Sequence, residues 1–170
     1  YDSGTKTYAL DSGFPVEVND AKSETLVLAK DSTGKLWVTY TMSDTLGIRV
    51  VVNRTTGDDA TWGTPYDLGT PKSSGLIDDD ISSVVAFDGN KIGVLWSRQA
   101  PGERRFYFAV HNDGDPETTW TETLVYSVSS DDHIQLHTLT ADPAGNVYAI
   151  VKPTSSANLI KLLKSNAGSS

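Results

Sequence analysis

The sequence contains no cysteine, which excludes a disulfide framework and any thiolate metal site. No run approaches the roughly 18 consecutive apolar residues that a transmembrane helix needs. Positive charge is scarce. Lys and Arg number 14 against 22 Asp and Glu, for a net charge of -8 and an isoelectric point near 4.7. An acidic body argues against nucleic acid or an anionic membrane as the main partner. No stretch sustains helical periodicity, which argues against a helical layer. The sequence begins in mid-pattern at Tyr1, and the expectation is a processed chain or a fragment without a signal peptide. The lack of cysteine is compatible with secretion in a prokaryote, so a secreted or cell-surface location is the expectation.

What the chain does have is short β-rich runs punctuated by turn residues. Hydrophobic residues make up 38% and charged residues 21%, the balance of a soluble globular protein. Residues 5–10 alternate as a short strand, and Pro15 holds the following residues extended. A first unit then reads strands at 25–29, 35–40, 47–53 and 65–68, with a hairpin turn at Asp31 to Gly34. A second unit reads strands at 81–87, 91–96, 105–110 and 123–126. A third reads strands at 134–139, 147–151 and 159–163, and lacks a fourth. The register is checkable. Lys35-Leu36 returns as Lys91-Ile92 and again as Asn146-Val147, at spacings of about 56 and 55 residues, and Trp62 returns as Trp120 after about 58. A repeat of that length with four strands per unit predicts an all-β fold: a β-propeller portion of about three antiparallel four-stranded blades. The expected divisions are 1–23 as an outer strand and lead-in, 24–77, 78–130 and 131–170 as blades, the last without its outer strand.

The four-strand order, the second-strand signatures around Lys35-Leu36-Trp37 and Lys91-Ile92-Gly93, and the turn-plus-tryptophan at Thr61-Trp62 and Thr119-Trp120 carry a resemblance. The chain resembles bacterial sialidase-like β-propeller repeats of the BNR or Asp-box type, over nearly its whole length. Only the Thr-Trp end of the Ser-x-Asp-x-Gly-x-Thr-Trp box is kept. The resemblance implies the propeller fold. A sialidase would also need an arginine cluster for the substrate carboxylate, a tyrosine nucleophile with a glutamate partner and an aspartate acid. Arginine occurs only at 49, 54, 98, 104 and 105, and none lies in such a motif.

Propellers close with about four to eight blades, and this chain supplies three. Its two end faces need covers. Another copy can supply them, with residues 5–10 as the missing outer strand, and a two-fold pair would give about six blades. The other reading is that the remaining blades belong to a longer propeller.

The candidate ligand-binding residues stand just before the inner strands: Asp79 and Asp80 before the second unit, and Asp131, Asp132 and His133 before the third. Such connections gather at one mouth of the central channel, where carboxylates can hold calcium or sugar hydroxyls. The competing reading is that they cap turns. The first unit offers only the partial match Asn19-Asp20-Ala21, and no spaced calcium loop is present. His133 and His137 fall on one face of a strand but about 13 Å apart, too far to share an ion. His111 reads as structural. Trp37, Trp62, Trp96 and Trp120 can be a sugar-stacking platform, but their recurrence in register favours packing. Asn53 opens a glycosylation sequon. No catalytic residue and no cofactor is assigned.

The expected function is a non-catalytic extracellular binding or scaffold module, presenting its mouth to a glycan or protein. The alternatives are a carbohydrate-active propeller domain whose site is completed by other blades, and an engineered or selected fragment with assembly only.

Overall fold

β-Branched and aromatic residues form twelve strands among the described residues of the computed structural model. The structure describes residues 1–19, 21–127, 134–136 (backbone only), 144–153 and 160–165. The first sheet holds β1 (Ser23–Lys30), β2 (Leu36–Asp44), β3 (Gly47–Arg54) and β4 (Tyr66–Asp67) in sequential order, with β5 (Ser74–Leu76) also on the edge of β3. Its outer strand is therefore split in two, and Gly69 and Pro71 lie in the break. The second sheet is the meander β6 (Ser82–Phe87), β7 (Lys91–Arg98), β8 (Arg105–Asn112) and β9 (Thr121–Ser127). The third joins β10 (Ile134–Leu136), β11 (Tyr148–Val151) and β12 (Lys161–Lys164). Every pairing is antiparallel.

Turn chemistry fixes the hairpins. Gly34 takes a positive φ of 88°. The Asp31 carboxylate in the same turn accepts from the amides of Thr33 and Lys35, both at 2.9 Å, and from the indole of Trp37 at 2.7 Å. Asp88 and Gly89 both adopt positive φ between β6 and β7.

The middle sheet has a different neighbour on each face. Toward the first sheet, Val84, Ile92, Val94, Trp96, Tyr107 and Ala109 meet Trp37, Val50, Val52, Leu68 and Leu76. Toward the third, Val85, Leu95 and Phe106 meet Val147, Ala149 and Val151. The first strand of the middle sheet, β6, packs beside both β1 and β10. The inner strands thus sit together and the sheets stack face to face around them, as propeller blades do. The structure is all-β, a propeller portion of three antiparallel sheets.

An ion-pair network braces the seam between the first two sheets. Glu103, in the β7–β8 turn, receives Lys72 Nζ at 2.7 Å, the Tyr107 hydroxyl at 2.7 Å and Arg98 Nε at 3.2 Å. Lys72 first, then Tyr107 and Arg98, hold its carboxyl down to about 2, against an ordinary 4.5. A depressed carboxylate contributes stability that is complete above 4.5 and is lost as pH falls through about 2. Acid unfolding followed by circular dichroism should therefore show a steeper loss between those values in the wild type than in Glu103→Gln.

Gly93 reflects close packing of another kind. A Cβ there would lie 2.6 Å from Phe108 Cε2 and 3.1 Å from Phe87 Cε1. Those two rings pack 6.0 Å apart. Gly93→Ala should lower stability in urea by about 1–3 kcal/mol through overpacking. Much of that loss should return in the Gly93→Ala/Phe108→Leu double variant.

Two features differ from the sequence reading. Residues 5–10 form no ladder strand in the single chain. Asp2 and Thr7 make an isolated bridge, and the segment is exposed. Alternation alone cannot make a strand without an edge to pair with. The second difference is β5, whose sequence Ser74-Gly75-Leu76 carries no alternation signal.

Candidate binding mouth

The ends of β1 and β2 and the connection into β6 form a polar recess of ≈ 190 Å³ between the first two sheets. It is lined by Lys22, Ser23, Glu24, Thr41, Met42, Ser43, Ile48 and Asp78. The pairings Ser23–Met42, Glu24–Thr41 and Ser43–Ile48 bring one wall together from three strands. Asp78 supplies the other wall from the connection between the sheets. The β1–β2 register shifts between Glu24 and Val27. Thr25, within that bulge, has a φ of 49°, an unfavourable value for a β-branched residue. Such outliers cluster at binding and catalytic sites, where surrounding structure holds them in place. Asn19 secures the approach, its amide donating to Ala21 O at 2.9 Å and Ser23 Oγ at 2.8 Å.

The three acids before β6 have separate roles. Asp78 faces the recess. Asp79 is exposed, and its carbonyl accepts from Gln99 Nε2 at 3.4 Å. Asp80 is fully buried. Its carboxylate accepts from Ile77 N at 2.9 Å, Ser97 Oγ at 2.9 Å and Gln99 N at 3.0 Å. Ser97 in turn accepts from Ile81 N at 3.1 Å. Asp80 thereby ties the entrance of β6 to the end of β7. Burial raises its pKa above the usual carboxylate value, opposed by the amides of Ile77 and Gln99 and the Ser97 hydroxyl. Asp131, Asp132, His133 and His137 lie outside the described residues.

Other candidates are distributed through the fold. Trp37 and Trp96 are enclosed between the first and second sheets and closed to a ligand. Trp120 packs on the same core, its ring 6.1 Å from that of Trp37. Trp62 lies on the opposite, outer face of the first sheet. The indoles form no common platform. His111 is buried between Trp37 and Trp120, at ring separations of 5.2 and 5.1 Å. Arg49 pairs with Asp44 and Asp67, Arg54 with Glu117, and Arg98 and Arg105 with Glu103. Asn53 is buried and donates to Val18 O at 2.9 Å. Among the described residues, no three His, Asp or Glu side chains stand close enough to share a metal ion.

Of the acids singled out in the sequence, neither Asp79 nor Asp80 lines the recess, and the lining residues Lys22, Glu24, Thr41 and Ser43 were not singled out. Lys22, Ser23 and Glu24 lie just beyond the expected match at Asn19 to Ala21, and Thr41, Met42 and Ser43 join them from β2 through strand pairing. The bulge at Thr25 is what hid them, because it interrupts the alternation that would have set the register.

No family model matches the sequence, and no curated protein matches it. Among solved structures, the chain is similar to the crystal structure of endo-arabinase from Bacteroides thetaiotaomicron VPI-5482, with a TM-score of 0.50 and 18% identity. The match covers 83% of this chain and 54% of the other, so the chain spans about half the length of that structure. At that identity the likeness concerns the fold, and it agrees with the radial stacking of the sheets.

Proposed function

We propose that this chain is a β-propeller binding module that holds a carbohydrate at the mouth where its inner strands begin, without cleaving it. The observation that carries this reading is the polar recess, in which Glu24 from the first sheet and Asp78 from the connection into the second line one ligand space beside Lys22 and the hydroxyl residues Ser23, Thr41 and Ser43. Carboxylates and hydroxyls directed into a concave site suit sugar hydroxyls. The similarity to an endo-arabinase makes arabino-oligosaccharides the first probe. The turn-plus-tryptophan elements fit a sialidase-like repeat used as a scaffold. Asp58 Oδ1 accepts from Thr61 Oγ1 at 2.8 Å and Ala60 N at 3.1 Å, so it fixes the turn that presents Trp62.

Isothermal titration of arabino-oligosaccharides tests the proposal. The wild type should bind. Glu24→Gln or Asp78→Asn should weaken binding at least about tenfold, the effect of losing one hydrogen bond to a charged group. Both variants should unfold at the wild-type urea midpoint. Absence of binding across an array of plant and bacterial glycans would refute it.

A second reading has one observation in its favour. Two carboxyl groups sharing a recess is also the arrangement of a glycosidase. Release of reducing sugar from arabinan, abolished in either variant, would replace the non-catalytic reading with that one.

A further inference from the structure

The sheets pack as a series, and among the described residues each end of the series has a face that meets no further sheet. On the first sheet that face carries Val38, Tyr40, Met42, Val51 and Trp62. Ala21 packs on part of it, and Asn53 holds Val18 beside it. They leave an apolar trough of ≈ 290 Å³ lined by Phe14, Leu26, Leu28, Val38 and Trp62, among others. On the third sheet the cross-strand pair Ile150–Leu162 points away from the middle sheet, and its residues are 42% and 66% exposed. Ile160, beside them, is 72% exposed. A monomer seldom leaves two such faces bare.

The repeat itself indicates what belongs in the trough. Trp120 fills the seam between the second sheet and the one before it, with its indole N–H bonded to Glu117 O at 2.9 Å. Trp62 stands one repeat earlier in the corresponding place, and the sheet it should face is missing. Its buried indole nitrogen has no hydrogen-bond partner among the described residues. The occupant called for is another sheet of the same kind.

The exposed Ile150–Leu162 face stands at the opposite end of the series, so the third sheet of another copy is the sheet that fits.

We propose that two copies of this chain close head to tail. The third sheet of each packs its Ile150–Leu162 face into the Leu28–Trp62 trough of the other. The two contacts are related by a two-fold axis along the channel, and the six sheets fall within the four to eight with which such rings close. Residues 5–10, which join no ladder within one chain, then have the open edge of β12 to pair with.

Light scattering on the size-separated chain tests this. The expected mass is twice the 18.3 kDa of one chain. Leu28→Asp and Leu162→Asp should each run as single chains with wild-type β-sheet circular dichroism. Mixing the two should restore the double mass, because one undamaged contact can then form. A wild-type mass of one chain at 100 µM or above (on the order of the upper range for a useful homodimer) would overturn the proposal. So would open-ended multiples, or failure of the mixture to pair.

Discussion

Replacing Trp96 by alanine should destabilise the protein by about 3–5 kcal/mol, the cost typical of truncating a fully buried large aromatic. Trp96 is completely enclosed. Its ring stacks on Tyr107 at 5.8 Å, with 21° between the planes, and its indole N–H donates to Lys72 O at 2.9 Å. Lys72 belongs to the connection that leaves the first sheet, so one side chain holds two sheets through both apolar area and a hydrogen bond. Truncation would leave a void between stacked sheets, which β7 cannot fill without disturbing its pairing to β6 and β8. It would also remove the shorter of two hydrogen bonds to the Lys72 carbonyl, leaving only Arg98 Nη1 at 3.4 Å. Domains of this kind are stable by about 5–15 kcal/mol, so this single change should remove a large part of the total. Urea unfolding monitored by far-ultraviolet circular dichroism reads the effect. A loss under about 1 kcal/mol would mean that the first two sheets do not close on this residue as described.

The second large effect should come from Asp80→Ala, at about 2–4 kcal/mol. The change leaves the amides of Ile77 and Gln99 and the Ser97 hydroxyl without their acceptor in a buried place, and each such loss costs about 1–3 kcal/mol before relaxation. Asp80→Asn should cost less. One amide oxygen can still serve Ser97 and Gln99, while the amide nitrogen faces the Ile77 N–H and repels it. The pH dependence has a definite sign. Burial raises the folded pKa of Asp80 above 3.8, so its contribution is complete below that value and declines as pH rises through the folded one. The Asn variant lacks this titration, and its deficit against wild type should narrow from about pH 3 toward neutrality. The comparison also separates fold from function. Asp80 variants should shift the unfolding midpoint, whereas Glu24→Gln and Asp78→Asn should shift ligand affinity alone.

Much of this architecture was legible in the letters. The near-continuous buried runs of β2, β3 and β7 follow from burial on both faces of stacked sheets. The fixed spacing between Lys35-Leu36 and Lys91-Ile92 marks the same position in successive sheets. The tryptophans were legible as packing groups because they recur in register, although recurrence could not show that Trp37 and Trp96 meet in one seam from opposite sides. The mouth was legible only in part. A run of three aspartates looks alike in sequence, but the backbone turns one inward to tie β6 to β7 and leaves its neighbours at the surface. That division depends on Ser97 and Gln99, which lie nearly twenty residues away and are visible only once β6 and β7 pair. The opposing wall, with Glu24, was hidden by a bulge that breaks the period on which the reading relied. Residues 5–10 show the converse limit: an alternating pattern is a capacity to pair, and the chain alone offers that segment no edge.

The most direct test of the central claim is a set of through-space methyl and aromatic contacts measured by nuclear magnetic resonance. Radial stacking predicts contacts from Val84 and Val94 to Val50 and Val52, and from Leu95 and Phe106 to Val147 and Val151. It predicts none between Val50 or Val52 and Val147 or Val151, because the middle sheet stands between them. Contacts linking those first-sheet and third-sheet valines within one chain would contradict the account, since they belong to a sandwich in which the two sheets touch.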